Sequence, residues 1–174
     1  MKKYLVLLLT CIPFVAHSAW IDSSGKPIAD SESMRSVDDF GVQIVLTADE
    51  PKFRQKWNTS KTPPKLSTTN TVRLGGSISA VLIFHGCTPN AAGVCDVASE
   101  FILESPDGNK MPAASGPVWS DKPMPQKVLQ LGLSSMTIGF NKTDLTGKYN
   151  IIANIKDNIS GKTLKVVTHL KVKK

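Results

Sequence analysis

The sequence predicts an all-β chain folded as a single antiparallel β-sandwich. Three observations predict it. Apolar residues recur with period two in several segments of the 174-residue chain. Turn residues interrupt these segments roughly every 8–12 positions, the spacing of short sandwich strands. No long stretch carries a sustained helical period.

The elements follow in order. From Phe40 onward Val42, Ile44 and Leu46 alternate with Gln43, Val45 and Thr47, the pattern of a half-buried strand. Asp49-Glu50-Pro51 ends it. Phe53 and Trp57 are four apart, so a helical turn would place both on one side. Thr59 to Asn70 reads as a loop, since Pro63-Pro64 excludes regular structure. Val72 to Leu74 is a short strand candidate, and Gly75-Gly76 turns the chain. Ile78 to Phe84 is apolar at nearly every position, which fits a strand covered on both faces. Val97 to Glu104 is the next strand, ended by Ser105-Pro106-Asp107-Gly108. Met111 to Gln126 reads as a long Pro-rich loop around Trp119. Leu129, Leu131 and Leu133 then alternate, as do Met136, Ile138 and Phe140. Tyr149 to Ile155 and Leu164 to Val172 complete the pattern.

The corner before the penultimate strand has a recognisable form. Asp144-Leu145-Thr146-Gly147-Lys148-Tyr149 resembles the Asp-x-x-Gly-x-Tyr corner of immunoglobulin-like domains, here of a bacterial kind. The resemblance covers about Asn141 to Val172 and implies a single immunoglobulin-like sandwich, with the tyrosine pinning the corner. No cysteine follows Tyr149, so the inter-sheet cysteine pair of that family is absent. A fold of this kind hosts many roles and implies no particular one.

The first residues give an address. Met1-Lys2-Lys3 is basic, Tyr4 to Val15 is apolar, and Ala16-His17-Ser18-Ala19 is rich in small residues. That order matches a secretory signal peptide over residues 1–19, with cleavage after Ser18 or Ala19. Acylation at Cys11 is the alternative. The apolar run is too short for a stable membrane span. The expected location is periplasmic or secreted. Residues 20–39, rich in Ser, Asp and Gly, are expected as a poorly ordered acidic leader, and 40–174 as the sandwich.

Charge is unevenly distributed. The formal net charge is +7, yet residues 20–50 hold two basic and seven acidic groups, against 17 and seven in residues 51–174. A basic body with an acidic leader implies either an acidic partner or a leader folded back on the body. Nucleic acid is excluded as the partner by the address and by the lack of interleaved basic and aromatic residues.

Cys87 and Cys95 are the cysteines left after export. In an oxidising compartment they read as a disulfide closing a small ring, contributing about 2–3 kcal/mol by the chain-entropy estimate. Direct pairing across a hairpin would set Val81 opposite Phe101, Ile83 opposite Ser99 and His85 opposite Val97. Val81, Ile83, Phe101 and Cys87 would then share a face. Redox thiols usually lie two residues apart, and oxidised sulfurs cannot serve as thiolate ligands, so no metal site is expected. No nucleophile elbow, phosphate-cradling loop or zinc spacing is present, so no catalytic residues and no cofactor are assigned.

Candidate partner contacts are Trp119, in the Pro-rich segment, and Lys165, His169 and Lys171, which share the outward parity of the last strand. The functional expectation is an exported non-enzymatic binding module: an inhibitor, immunity or accessory protein of the cell envelope. Its partner is expected to be another protein or an acidic envelope component. A pilus-type structural subunit is the alternative, and a periplasmic hydrolase comes third.

Overall fold

In the computed structural model, residues 20–22, 24–60, 65–122 and 129–174 are described. The signal segment with Cys11, the Pro63-Pro64 pair and Pro123 and Pro125 lie outside them. Among the described residues, nine strands and one helix follow in chain order: β1 (Met34–Val37), β2 (Phe40–Thr47), α1 (Glu50–Thr59), β3 (Thr71–Arg73), β4 (Ser77–His85), β5 (Val97–Glu104), β6 (Lys110–Trp119), β7 (Gln130–Gly139), β8 (Gly147–Asp157) and β9 (Thr163–Lys173). They form two sheets, ordered β1-β2-β4-β7 and β3-β9-β8-β5-β6. Among the described residues only the short β3–β9 pairing is parallel. The all-β sandwich expected from the alternation is the observed architecture.

The alternation explains the core. One face of β2 and β4 sends Val42, Ile44, Leu46, Ile78, Ala80, Leu82 and Phe84 between the sheets. There they meet Phe101, Ile151, Ile155, Val166 and Leu170 of the other sheet. Side chains two apart on a strand share a face, so each strand delivers its apolar set to one layer.

β4 is buried on both sides. Its other face places Val81 and Ile83 with Leu131 of β7 beneath Phe53 of α1, flanked by Val45, Trp57 and Leu66. Asp49 caps α1 by accepting from the Lys52 amide at 3.0 Å, which satisfies one of the orphan donors of the first turn. Arg54 then pins the helix to β7. Its guanidinium pairs with Glu50 at 2.7 Å and donates to the carbonyls of Gly132 and Leu133 at 2.9 and 3.3 Å. These carbonyls sit where the β4–β7 register shifts, between Val81 and Ile83. Burial alone would raise the Glu50 pKa, but bonds from Arg54, Ser135 and Ser79 outweigh it and hold it below the ordinary value.

Three expectations are corrected. The first concerns the disulfide register. Cys87 and Cys95 are bonded, with Cα atoms 6.0 Å apart, yet β4 and β5 do not pair at all. β4 pairs with β2 and β7, and β5 with β6 and β8. Val81 therefore faces α1, while Phe101 lies between the sheets, and His85 stands opposite Gly41 rather than Val97. The bond closes a crossover from one sheet to the other. A short ring cannot distinguish a hairpin from a crossover, because both bring its ends together.

The second correction concerns residues 20–39. They carry β1, and Trp20 is only 4% exposed. Low apolar periodicity hid a segment that folds by docking single residues. The third concerns the Pro-rich segment. Most of it is β6, an edge strand beside β5. An edge strand has one side without a partner, so Pro112 and Pro117 fit without breaking the sheet.

At the crossover, Asp157 acts as a staple. Its carboxylate accepts from the Thr88 amide at 2.9 Å, the Ile159 amide at 3.0 Å and the Ser160 hydroxyl at 2.8 Å. Burial would raise its pKa, but the bonds from Thr88 and Ser160 outweigh it and lower it.

Candidate functional site

The two sheets differ in what lies on their outer faces. On the four-stranded sheet α1 covers one end. At the other, Trp20 packs edge-on against His85, ring centroids 4.7 Å apart. Gly41 makes this possible: a Cβ there would stand 2.3 Å from His85 Nε2 and 3.0 Å from Trp20 Nε1. Burial pushes the His85 pKa below its ordinary value, with the Asp39 carbonyl and charge opposing. Its Nε2 has no hydrogen-bond partner among the described residues.

The outer face of the five-stranded sheet has no such cover among the described residues. Register sets its side chains in rows. Val167, Ile152 and Ile102 stand side by side across β9, β8 and β5. On one flank lie Lys165, Asn154 and Glu100; on the other, His169, Asn150 and Glu104. Beyond the latter, Lys171 stands opposite Lys148, and Arg73 opposite Lys173. The result is a short apolar row, with Ile152 at its centre only 6% exposed and Val167 and Ile102 partly exposed, bordered by polar rows and ending in cations.

The candidate residues occupy different situations here. Lys165 and Lys171 are exposed on the open face. His169 shares that face but is engaged. Its Nδ1 lies 2.8 Å from Asn150 Oδ1, and its Nε2 lies 2.8 Å from Glu32 Oε2. Asn150 donates onward to Glu104 at 3.1 Å, and Lys110 reaches Glu104 at 3.9 Å. The Glu32 carbonyl also accepts from the Val167 amide at 2.7 Å. Asp38 pairs with Lys162 at 3.2 Å. Acidic residues of the leader thus fold back onto the basic body. Trp119 lies away from these three. It is half-buried, its ring 5.6 Å from Phe84, and its indole N–H donates to the Lys122 carbonyl at 3.4 Å.

Sequence reasoning placed Glu100 and Glu104 on one outward face of their strand but missed Glu32, Asn150 and Lys148. Strand parity could have found the last two, since each stands on the outward side of its strand. Glu32 has no such signal, because its contact with His169 spans 137 residues.

A cleft of about 330 Å³ opens between β2 and β9, lined mainly by Ser33, Gln43, Thr68, Thr69, Asn70 and Thr168. Among the described residues no three His, Cys, Asp or Glu side chains are grouped to hold a metal ion. No described helix is long and apolar enough to cross a membrane.

No protein-family profile and no curated protein sequence matches the chain. Solved structures resemble it only distantly. An immunoglobulin-like protein from Pseudomonas aeruginosa is 12% identical, with a TM-score of 0.32 over 76% of this chain and 91% of that one. A Niemann-Pick type C2 protein from the Japanese carpenter ant is 11% identical, with a TM-score of 0.41 over 75% and 89%. The alkylpurine DNA glycosylase of Pseudomonas fluorescens is 8% identical, with a TM-score of 0.38; the match covers 60% of this chain and 28% of the glycosylase. Likenesses this weak assign neither a family nor an activity.

Proposed function

We propose that the chain is an exported, non-enzymatic binding module of the cell envelope, an immunoglobulin-like sandwich that engages an acidic partner through the open face of its five-stranded sheet. One observation carries this reading. One outer face of the sandwich is covered by α1 and Trp20, while the other carries the row Val167, Ile152 and Ile102 with exposed Lys165 on one flank and, beyond His169 on the other, exposed Lys171. A surface with an apolar centre and a charged rim has the anatomy of a protein interface. The immunoglobulin-like part of the reading is supported by the corner itself, where the Tyr149 hydroxyl donates to the Leu145 carbonyl at 2.9 Å. The signal-like start and the disulfide support export.

The test is capture of partners from an envelope extract by the tagged protein and by Lys165→Glu with Lys171→Glu. Capture should fall in the double variant while the melting temperature stays unchanged. It should also weaken as salt rises, because exposed charges are screened beyond about 8 Å at physiological ionic strength. Equal, salt-independent capture by both proteins would discard this face as the contact surface.

A further inference from the structure

The end of the sandwich away from the disulfide carries unbalanced positive charge. The β3–β4 turn, the β7–β8 loop and the end of β9 meet there. The Leu74 amide donates to the Lys173 carbonyl at 2.8 Å, and the Gly75 amide donates to that of Phe140 at 2.6 Å. Arg73, Lys142, Lys148, Lys171 and Lys173 are all exposed around this end. Like charges directly opposite on neighbouring strands are destabilising, yet register pairs Lys148 with Lys171 and Arg73 with Lys173. Among the described residues none of the five forms an ion pair.

Two acids stand near Tyr149 at this end, Asp107 and Asp144. Both are engaged by their own loops. Asp144 accepts from the Asn141 amide at 2.7 Å. Asp107 accepts from the Ser105 hydroxyl and from the Asn109 amide. An anion lying over the paired cations would turn their mutual repulsion into attraction.

Leu145 projects from the same end and is 49% exposed. The loop holds it outward. Its carbonyl is tied to the Tyr149 hydroxyl, and the space below is filled by Phe140 and Tyr149, ring centroids 5.2 Å apart. The leucine cannot fold into the core without breaking that corner. This end thus presents an exposed leucine together with exposed cations that stand in opposed pairs on neighbouring strands. It matches a soft, planar, anionic surface. Four of the five cations are lysines, which act as point charges and impose no fork geometry on the anion.

We propose that this end docks on an anionic lipid surface. Phospholipid headgroups meet Arg73, Lys142, Lys148, Lys171 and Lys173, and Leu145 enters the boundary between headgroups and acyl chains. This inference goes beyond the preceding reading and does not depend on it.

Co-sedimentation with vesicles tests it, using phosphatidylcholine alone and phosphatidylcholine containing phosphatidylglycerol. Wild type should bind only the anionic vesicles. Lys142→Gln with Lys148→Gln should weaken that binding about thirtyfold, since each lysine near such a surface contributes about 1 kcal/mol. Leu145→Ser should weaken it with an unchanged salt slope. Lys165→Glu, about 20 Å along β9 from Lys171, should change it by no more than about twofold. Unchanged partner capture by Lys165→Glu with Lys171→Glu, beside vesicle binding by wild type that Lys165→Glu leaves intact, would therefore strike only the open-face reading. Absence of vesicle binding, equal binding to both compositions, or wild-type binding by the Lys142/Lys148 variant would overturn the lipid proposal.

Discussion

The two outer faces of the sandwich are built from strands of similar length but meet different surroundings. On the four-stranded sheet, α1 lays Phe53 over Val81, Ile83 and Leu131, and Trp20 closes over His85 and Gly41. On the five-stranded sheet, lysine, asparagine and glutamate alternate with the core residues, and the face stays open. The difference teaches that a sheet face is covered where its strands lose their polar alternation. β4 is apolar on both parities, and the chain supplies one helix and one indole to shield the excess.

Substitutions can break this contrast. Phe53→Ala should have the largest effect, a loss of about 3–5 kcal/mol in urea unfolding, because it leaves a cavity between α1 and β4. Val167→Ala on the open face should cost under about 1 kcal/mol, since its half-exposed site leaves no closed void. Similar losses at the two sites would mean that α1 does not seal its face.

Gly41→Ala comes next. The added carbon would overlap His85 Nε2 and crowd the Trp20 ring. A loss of about 1–3 kcal/mol is expected, as for other overpacked sites, together with a red shift in tryptophan emission as Trp20 is displaced into water. An unchanged spectrum would show that Trp20 does not need the notch at Gly41.

The covered face should also respond to pH. Burial holds His85 below its ordinary pKa of 6.5, so the unfolded chain takes up this proton first. Stability should be full above about pH 6.5 and decline as pH falls towards the lowered folded-state value. Melting at about pH 7.5 and about pH 5.5 should show the decline in wild type and a smaller one in His85→Phe. Equal slopes in both proteins would assign the decline to other groups.

The smallest effect is expected on the open face. Lys165→Glu with Lys171→Glu should change stability by about 0.5 kcal/mol or less, because exposed lysines make few contacts there. A larger loss would mean that these lysines hold the sheet together rather than awaiting a partner.

The legible parts of the molecule were those governed by local repetition. Alternation in β2, β8 and β9 announced strands and their buried faces. The nearly continuous apolar run of β4 announced a strand covered twice. Phe53 and Trp57, four apart, marked the helix that covers it. The cysteine pair was legible from the compartment that the first residues imply. The partners of these elements were not legible. β6 was hidden because proline argues against a strand, and only an edge position removes that objection. The leader was hidden because Trp20 and Glu32 act singly, with no period to reveal them. At the candidate surface, Lys165 and Lys171 followed from parity, while the tie of His169 to Glu32 did not.

By itself, then, the sequence determined the strands that alternate or run apolar, β2, β4, β5, β8 and β9, which side of them is apolar, and that two sulfurs close a short ring. Those properties depend on neighbours one to four residues away, where the geometry of the chain is fixed by its own bonds. Tertiary structure decided which strands pair, that the ring spans two sheets, that an indole at position 20 seals one face, and that the other face stays open. These outcomes depend on competition among distant surfaces for burial, and that competition is settled only when the whole chain packs at once.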